Sequence, residues 1–229
     1  MIHVVAAAVI DAGGRVLIAQ RPAGKHLAGG WEFPGGKLEP GEARAAGLAR
    51  ELKEELGITI HNPRPLIRVR HTYPYGEVLI DMWVVKSYSG APRGLDGQAL
   101  QWLSQENLEK VELLPADGPI VRALRLPERL THLSTTDYKV VESKFPRKRL
   151  AVDDDAAESS RQVGMFCRDA EEAVAAAEAG ADFLVLRNVL GCGELTALCD
   201  SVPVPVFARG IGLEQAWALG ASGVSEIYD

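Results

Sequence analysis

The pattern of apolar and polar positions divides the chain into two stretches. Up to about residue 127, short apolar runs with period-two character surround one long helical pattern. From Arg149 onward, short apolar runs alternate with Ala-rich stretches, which indicates repeated β/α units. In the first stretch a turn at 11–14 predicts Arg15–Gln20 as the hairpin partner of the first strand. The strands predicted there are His3–Ile10, Arg15–Gln20, Pro65–Thr72 and Glu77–Ser87.

The long helical pattern covers about Ala43 to Leu56, a stretch without proline, and Gly57 supplies a stop. Glu51, Glu54 and Glu55 stand at i, i+3 and i+4, so their carboxylates share one face. Like charges this close destabilise a helix unless a cation offsets them, and hard oxygens suit Mg²⁺ or Mn²⁺. The alternative is a solvated, Glu-rich surface. A separate apolar stripe consists of Ala45, Leu48, Ala49, Leu52 and Leu56.

Residues around this helix follow the spacing G-x5-E-x7-R-E-U-x-E-E-x-G-U, where U is aliphatic. This spacing is the Nudix box, so the chain resembles the Nudix hydrolases. The resemblance implies hydrolysis of a nucleoside diphosphate linked to another group, and an α/β/α sandwich with a mixed sheet for residues 1–127. The matching residues are Gly36, Glu42, Arg50, Glu51, Leu52, Glu54, Glu55, Gly57 and Ile58.

The same resemblance assigns roles to individual residues. Arg50 would orient a glutamate by charge pairing, and Asp96 would add an acidic group near the metals, with an ordinary surface turn as the alternative for Asp96. Mg²⁺ is the expected cofactor, with Mn²⁺ as an alternative, and the motif leaves the general base and the number of metals open. The implied metal ligands are Glu51, Glu54, Glu55 and the carbonyl of Gly35.

A narrower resemblance rests on Arg21 and on the run WEFPGGK at 31–37. Both resemble the MutT subgroup, which hydrolyses 8-oxo-dGTP to the monophosphate and so sanitises the nucleotide pool for DNA replication and repair. By this match Arg21 contacts the substrate and Phe33 lines the base pocket; a surface arginine and a core phenylalanine are the alternatives. The loop aromatics His71, Tyr73 and Tyr75 either stack on a base or close the core.

The closing helix near 115–126 resembles the MutT segment in which an asparagine reads oxidised guanine, but here the residue is Asp117. The 8-oxoguanine edge shows a C6 carbonyl acceptor beside an N7–H donor, and an amide answers both. Asp117 would have to be protonated to do the same, or read N1–H instead. Other nucleoside diphosphate derivatives and thiamine-related pyrophosphates therefore stay open as substrates. A nucleotide sensor is the alternative of another class, and the three box glutamates favour an enzyme.

Residues 128–147 are predicted as a linker or a segment packed on one domain, and 148–229 as a second module. Runs such as VGMFCRDAEEAVAAAEAGADFLVL and VPVPVFARGIG resemble the C-terminal half of thiamine phosphate synthase, a (β/α)₈ barrel. The match is partial and its sites are altered at Cys167-Arg168, Arg187-Asn188 and Arg209. We expect a partial, barrel-like module without catalysis of its own. Unpaired edges of a half-barrel would favour packing, regulation or a homodimer.

Composition narrows the remaining possibilities. The chain has 229 residues, of which 47% are hydrophobic and 24% charged, enough for one large or two small domains. Residues 1–127 carry a net charge of +1 and residues 128–229 carry −7, so we expect nucleoside triphosphate binding without duplex binding. No apolar run reaches 18 residues and no basic segment precedes the first strand. We therefore expect no membrane span and no signal peptide. The three cysteines are an odd number without C-x-x-C spacing, so we expect them to be reduced, in a cytoplasmic protein.

Overall fold

The computed structural model describes residues 1–22, 24, 26–135, 138–142 and 161–227, with Glu142 described by its backbone alone. It divides into two compact units, Met1–Val121 and Arg122–Asp229. The end of the predicted linker and the start of the predicted second module fall on 143–160, outside the described residues. Within the described ranges, no helix is both long enough and apolar enough to cross a lipid bilayer.

The first unit combines nine strands with one long helix. The strands are β1 (Ile2–Val9), β2 (Val16–Gln20), β3 (Trp31–Glu32), β4 (Gly35–Lys37), β5 (Thr59–His61), β6 (Arg64–Tyr73), β7 (Gly76–Val85), β8 (Ser87–Ser89) and β9 (Leu100–Leu103). The helices are α1 (Arg44–Leu56), a 3₁₀ turn at Gln105–Lys110, another at Pro115–Asp117, and α2 (Gly118–Leu124), which spans the boundary between the units.

A mixed sheet in the order β4-β1-β7-β6 forms the centre of this unit, with β1 parallel to β7 and antiparallel to β4. The predicted turn at 11–14 is confirmed, but the predicted pairing of β1 with β2 does not extend along the strands. Apart from one bridge between Ile10 and Val16, β2 pairs with β3 and β9. Both edges of β1 are already occupied by β4 and β7, so β2 joins a separate antiparallel sheet. The predicted strand 77–87 also ends early, at Val85, and β8 pairs with β5 instead.

Helix α1 covers one face of the central sheet, as its apolar stripe predicts. Leu48, Leu52 and Leu56 are fully buried and belong to one core cluster with Val5 and Leu17. Burial of each leucine side chain contributes about 1.5–3 kcal/mol. Ala45, the first position of the predicted stripe, is exposed, so the buried stripe begins one turn later. The box glutamates therefore stand on a helix that is fixed to the sheet.

The second unit is a parallel sheet with helices on it. Its strands are β10 (Arg129–Leu130), β11 (Tyr138–Glu142), β12 (Gln162–Cys167), β13 (Phe183–Leu186), β14 (Val206–Ala208) and β15 (Gly223–Ser225). Its helices are α3 (Ala170–Glu178), α4 (Cys192–Ser201) and α5 (Leu213–Ala218). Among the described residues of this unit, all five strand pairings are parallel, in the order β10-β15-β14-β13-β12-β11. The stretch predicted as a linker therefore contributes two strands to this sheet.

The two faces of this sheet carry different cores. Along β13, Phe183 and Val185 join an aromatic cluster, whereas Leu184 and Leu186 join the cluster that includes the helices. The same alternation occurs at Phe207 of β14. This period of two, with both faces buried, is the pattern of a parallel sheet that has an inner core and an outer helical layer.

The sheet curls until its two edge strands approach each other. Val140 of β11 donates a backbone hydrogen bond to Leu133 (2.7 Å), so Leu133 lies against the free edge of β11. Leu133 follows Leu130 of β10 by only three positions, a span of about 11 Å at most. A flat sheet of six strands would separate its edges by about 24 Å. The second unit is therefore a partial, barrel-like module, as the sequence predicts.

Candidate active site

The loop that carries Gly35 and Gly36 lies tightly between β1 and α1. Gly35 has φ 152°, and a Cβ atom there would lie 2.1 Å from the carbonyl oxygen of Val5. A Cβ atom at Gly36 would lie 2.1 Å from Oε2 of Glu51. Any larger residue would displace strand β1 at the first position or the Glu51 carboxylate at the second.

Arg50 connects most of the predicted catalytic carboxylates. Its Nε and Nη2 donate to the two oxygens of Glu42 at 3.0 and 2.9 Å, the two-pronged geometry that favours arginine. Its Nη1 donates to Glu51 at 2.9 Å and to Glu54 at 3.3 Å. Nη2 also reaches the carbonyl oxygen of Lys37, 3.1 Å away. The guanidinium group thus ties α1 to the loop before it.

These contacts shift ionisation in the expected directions. The hydrogen bonds from Arg50, followed by the backbone N–H of Glu39, hold the pKa of Glu42 below its usual range. The carboxylates of Glu42 and Glu51 raise the pKa of Arg50. Arg50 is therefore a fixed cation beside Glu51 and Glu54.

Glu55 and Asp96 lie along the same cleft. Gly35 donates its backbone N–H to Oε2 of Glu55 (3.1 Å). The carbonyl oxygen of Glu55 accepts from the backbone N–H of Leu95 (3.0 Å) and from Nε2 of Gln98 (3.2 Å), so the Asp96 loop is bound to the end of α1. The residues that line this cleft are Ala19, Gln20, Pro22, Glu32, Pro34, Glu55, Asp96 and Gln98.

The donor chemistry of this cleft suits a hard divalent cation, because its ligands would all be oxygens. Glu51, Glu54, Glu55 and the Gly35 carbonyl lie on one helix face and the adjoining loop. Within the described parts of the chain, no three acidic, histidine or cysteine side chains already form a compact ligand group. Arg50 contacts two of the glutamates instead, and it offsets the repulsion that a cation would otherwise relieve.

Arg21 directly follows β2, and Phe33 directly follows β3, the strand that pairs with β2. Arg21 forms an ion pair with Glu32 and donates from Nε to the carbonyl oxygen of His26 (2.8 Å). Phe33 is buried, which is compatible with both a pocket wall and a core residue. Glu32 was not singled out from the sequence. The sequence feature that could have identified Glu32 is its position next to Phe33. In the structure Glu32 pairs with Ala19, on the strand that leads to Arg21.

Asp117 is 4% exposed, and its Oδ2 makes no hydrogen bond. Burial, reinforced by the negative charge of Glu32, raises the pKa of Asp117 to about 8, although a backbone hydrogen bond from Leu114 and the positive charge of Arg21 oppose this shift. Its carboxyl group is therefore mostly neutral at pH 7. Buried polar atoms without partners cost free energy, and they often mark places where a ligand binds.

A second buried carboxylate, Asp81 on β7, was also missed by the sequence reasoning. Arg68 and Arg44 approach its Oδ1 at 2.5 and 3.6 Å, and His3 pairs with its Oδ2. Arg44 is the first residue of α1, so this group of charges connects the start of the helix to the sheet. The sequence feature that could have identified Asp81 is that it is a lone aspartate within an otherwise apolar strand.

Comparisons with known proteins match the N-terminal half of the chain. The NUDIX domain family profile matches residues 5–123. The CTP pyrophosphohydrolase of Escherichia coli K12 is 40% identical over 123 residues, which cover 54% of this chain and 90% of that protein. The 8-oxo-dGTP diphosphatase of the same strain is 34% identical over 110 residues, 48% of this chain and 85% of that protein. The solution structure of the E. coli ORF135 protein aligns with a TM-score of 0.49 and 39% identity, covering 54% of this chain and 87% of that one.

Helix α1 presents the glutamates of the box beside two close-packed glycines, and the family profile covers this helix and its loop. Relatives 40% and 34% identical cover the same region over most of their own length. The chain belongs to the Nudix family and is an enzyme that hydrolyses a pyrophosphate linkage.

Proposed function

We propose that this enzyme is a Mg²⁺-dependent nucleoside triphosphate pyrophosphohydrolase that converts 8-oxo-dGTP to the monophosphate and pyrophosphate. The observation that carries the substrate choice is the buried carboxyl group of Asp117, with one oxygen unpartnered and a pKa raised to about 8. The similarity to an E. coli 8-oxo-dGTP diphosphatase supports the same choice.

Glu51, Glu54, Glu55 and the Gly35 carbonyl would hold the metal ion. When bound, Mg²⁺ supplies neutralisation of developing phosphate charge and a lower pKa for the attacking water. Arg50 orients Glu51 and Glu54 through the contacts described above. Gly36 leaves the space in which the Glu51 carboxylate lies.

A neutral Asp117 can read oxidised guanine in the way an amide does. Its O–H would donate to the C6 carbonyl, and its carbonyl oxygen would accept from N7–H. Unmodified guanine has an acceptor at N7, which would face the acceptor oxygen of Asp117. An unsatisfied buried polar pair of this kind costs about 1–3 kcal/mol, so discrimination of about 10- to 100-fold is expected.

CTP is the second candidate, because the relative that is 40% identical is a CTP pyrophosphohydrolase. The chemistry of a neutral carboxyl group is compatible with it. The cytosine edge places an amino donor beside the N3 acceptor, and the acid can accept from the first and donate to the second. A neutral Asp117 therefore fits either oxidised guanine, through its N7 edge, or cytosine, and the kinetic comparison below decides between them.

We assign no catalysis to the second unit, whose sequence resembles part of thiamine phosphate synthase. Unpaired sheet edges were the reason to expect a homodimer, and the curling of the sheet brings those edges together within one chain. The physical argument for a homodimer, that unpaired sheet edges need a second chain, therefore no longer applies. A nucleotide sensor stays the alternative of another class, and the presence of Glu51, Glu54 and Glu55 favours the enzyme.

The proposal is tested with Mg²⁺ by measuring pyrophosphate release from 8-oxo-dGTP, dGTP and CTP, and orthophosphate release from thiamine pyrophosphate. We expect 8-oxo-dGTP to have the largest kcat/KM, and Glu54→Gln to lower it by about 10²–10⁴-fold. Glu178→Gln, a matched change on α3 of the second unit, should leave it unchanged. A larger kcat/KM for CTP would replace the proposed substrate with the second candidate. Nucleotide binding without turnover of any of the four would favour the sensor.

A further inference from the structure

Arg21 and Glu32 form an ion pair across strands β2 and β3. Glu32 pairs with Ala19 in the sheet, and Arg21 lies two positions after Ala19, so both side chains project from the same face. The side chains of Arg21 and Glu32 are 23% and 26% exposed, so the pair is partly shielded from water. Nε of Arg21 donates to the carbonyl oxygen of His26 (2.8 Å), while Nη1 donates to Glu32. The guanidinium group is therefore held from two sides.

Strand β3 also anchors the turn that carries Asp117. Leu114 donates its backbone N–H to the carbonyl oxygen of Trp31 (3.0 Å), and Asp117 donates its own to the carbonyl oxygen of Leu114 (2.9 Å). Glu32 is the residue after Trp31, and its side chain lines the cleft described above. Glu32 therefore connects the cleft to the turn that carries the proposed base-reading residue.

Among the described residues, Glu32 and Arg21 are the charged side chains that act on Asp117. Burial raises the pKa of Asp117, and the negative charge of Glu32 adds to the shift. A backbone hydrogen bond from Leu114 and then the positive charge of Arg21 oppose it. The phenol of Tyr73, on β6, is a further titratable group beside this carboxyl group; burial raises its pKa, so it is uncharged near pH 7. Oδ2 of Asp117 has no hydrogen-bond partner, so Arg21 does not pair with it.

The partner that Arg21 takes decides the charge of Asp117. A guanidinium group that donated to this buried carboxyl group would favour its ionised form through charge-assisted hydrogen bonds. An ionised Asp117 would offer only acceptors, and it could not donate to the C6 carbonyl of oxidised guanine. Base selection therefore requires that Arg21, which is close enough to act on Asp117, be bound by another group.

We propose that Glu32 is a positioning residue for base selection: it holds the guanidinium group of Arg21, so that this cation does not pair with the carboxyl group of Asp117. An unpaired carboxyl group in this buried position keeps its proton and can answer the edge of oxidised guanine. This inference rests on the proposed function, because it assigns a specificity role at the same site. Glu32 acts through its neighbours and does not itself touch the base.

Replacement of Glu32 by glutamine tests this role, because it removes the charge and retains the shape of the side chain. At pH 7, Glu32→Gln should lower the ratio of kcat/KM for 8-oxo-dGTP to that for dGTP by about tenfold, since Arg21 then ionises Asp117. Glu106→Gln, which removes an exposed charge in the same unit, should leave the ratio unchanged. An unchanged ratio in Glu32→Gln would overturn the inference.

A double variant distinguishes a positioning role from a merely structural one. Asn cannot ionise, so the combination of Glu32→Gln with Asp117→Asn should retain the ratio measured for Asp117→Asn alone, within about twofold. The second substitution would thus rescue the selectivity that the first removes. A ratio in the double variant as low as that in Glu32→Gln would show that Glu32 does not act through Asp117, and would overturn the inference.

Carbon-13 NMR of the aspartate side chains provides a readout that does not depend on turnover. The resonance of Asp117, identified by its absence in Asp117→Asn, should titrate near pH 8 in the unchanged protein. In Glu32→Gln its midpoint should fall by about one pH unit or more. This fall without hydrolysis of any triphosphate would retain the coupling of Glu32 to Asp117 and reject the proposed reaction. Hydrolysis with an equal midpoint in both proteins would retain the reaction and reject the coupling.

Discussion

The two units differ in the polar groups that they bury. The buried polar residues described in the first unit are Asp81 and Asp117, both carboxyl groups. Those described in the second unit are Gln162, Ser222 and Ser225, all neutral, and each forms a hydrogen bond with the backbone. Asp117 retains an oxygen without a partner.

This difference indicates where function is located. A buried carboxyl group costs more than a buried hydroxyl or amide, so a fold retains one where it serves a ligand or holds charged elements together. Asp117 fits the first purpose and Asp81, surrounded by His3, Arg44 and Arg68, fits the second. The polar groups buried in the second unit complete its hydrogen bonding, as a packing module requires.

The largest effect on stability is expected from the aromatic core of the second unit. Phe183 is fully buried among Tyr138, Phe166 and Phe207, so Phe183→Ala should lower the free energy of unfolding of that unit by about 3–5 kcal/mol. Urea unfolding measures the change, with Val174→Ala on α3 as a near-neutral control. Hydrolysis by the folded protein should be unaffected. A matching loss of kcat/KM would show that the second unit takes part in catalysis.

The next prediction compares the effects on activity of replacing one glycine in each unit with alanine. Gly36→Ala places a methyl group against the Glu51 carboxylate and should lower kcat/KM about 10²-fold, since misplacement by about 1 Å costs that much. Gly193 on α4 has no atom within 4 Å of its would-be Cβ, so Gly193→Ala should preserve activity and raise stability by roughly 0.5–1 kcal/mol. Equal activities in the two variants would contradict the assigned packing of the loop.

Arg50→Lys should have a smaller effect. Lysine retains the positive charge but cannot donate to both oxygens of Glu42 while reaching Glu51 and Glu54. We expect kcat to fall about tenfold, together with a weaker apparent affinity for Mg²⁺ in a metal titration. The matched change is Arg168→Lys, which alters an exposed ion pair with Glu172 in the second unit and should be silent. Full activity of Arg50→Lys would show that charge alone suffices.

The most gradual effect is the pH dependence of stability, because it is spread over about four pH units. The folded pKa of Asp117, about 8, lies above its ordinary value of 3.8, so the folded state binds more protons between these values. Relative to Asp117→Asn, the protein should therefore lose stability as pH rises from about 4 to about 8, by at most ~1.4 kcal/mol per unit. Urea unfolding at pH 5 to 9 measures this difference. A difference that does not vary with pH would show that Asp117 is ionised throughout.

Short-range patterns explain what was predictable from the sequence. Helix α1 and its glutamates follow from a 3.6-residue period and a fixed motif, and β12 to β15 follow from apolar runs between Ala-rich helices. Strands β10 and β11 were missed because they are short and lie in a polar stretch. The partners of β2 depend on which edges of β1 are already paired. The neutral state of Asp117 depends on burial and on Glu32, which come from distant parts of the chain.

The central claim is that a neutral Asp117 selects the substrate base, and one pH series tests it directly. The ratio of kcat/KM for 8-oxo-dGTP to that for dGTP would be measured from pH 6 to pH 9 in the unchanged enzyme and in Asp117→Asn. We expect the ratio to fall as pH rises through about 8 in the unchanged enzyme, where Asp117 loses its proton, and to stay constant in Asp117→Asn. A ratio that stays constant in both proteins, or that rises with pH, would contradict the account.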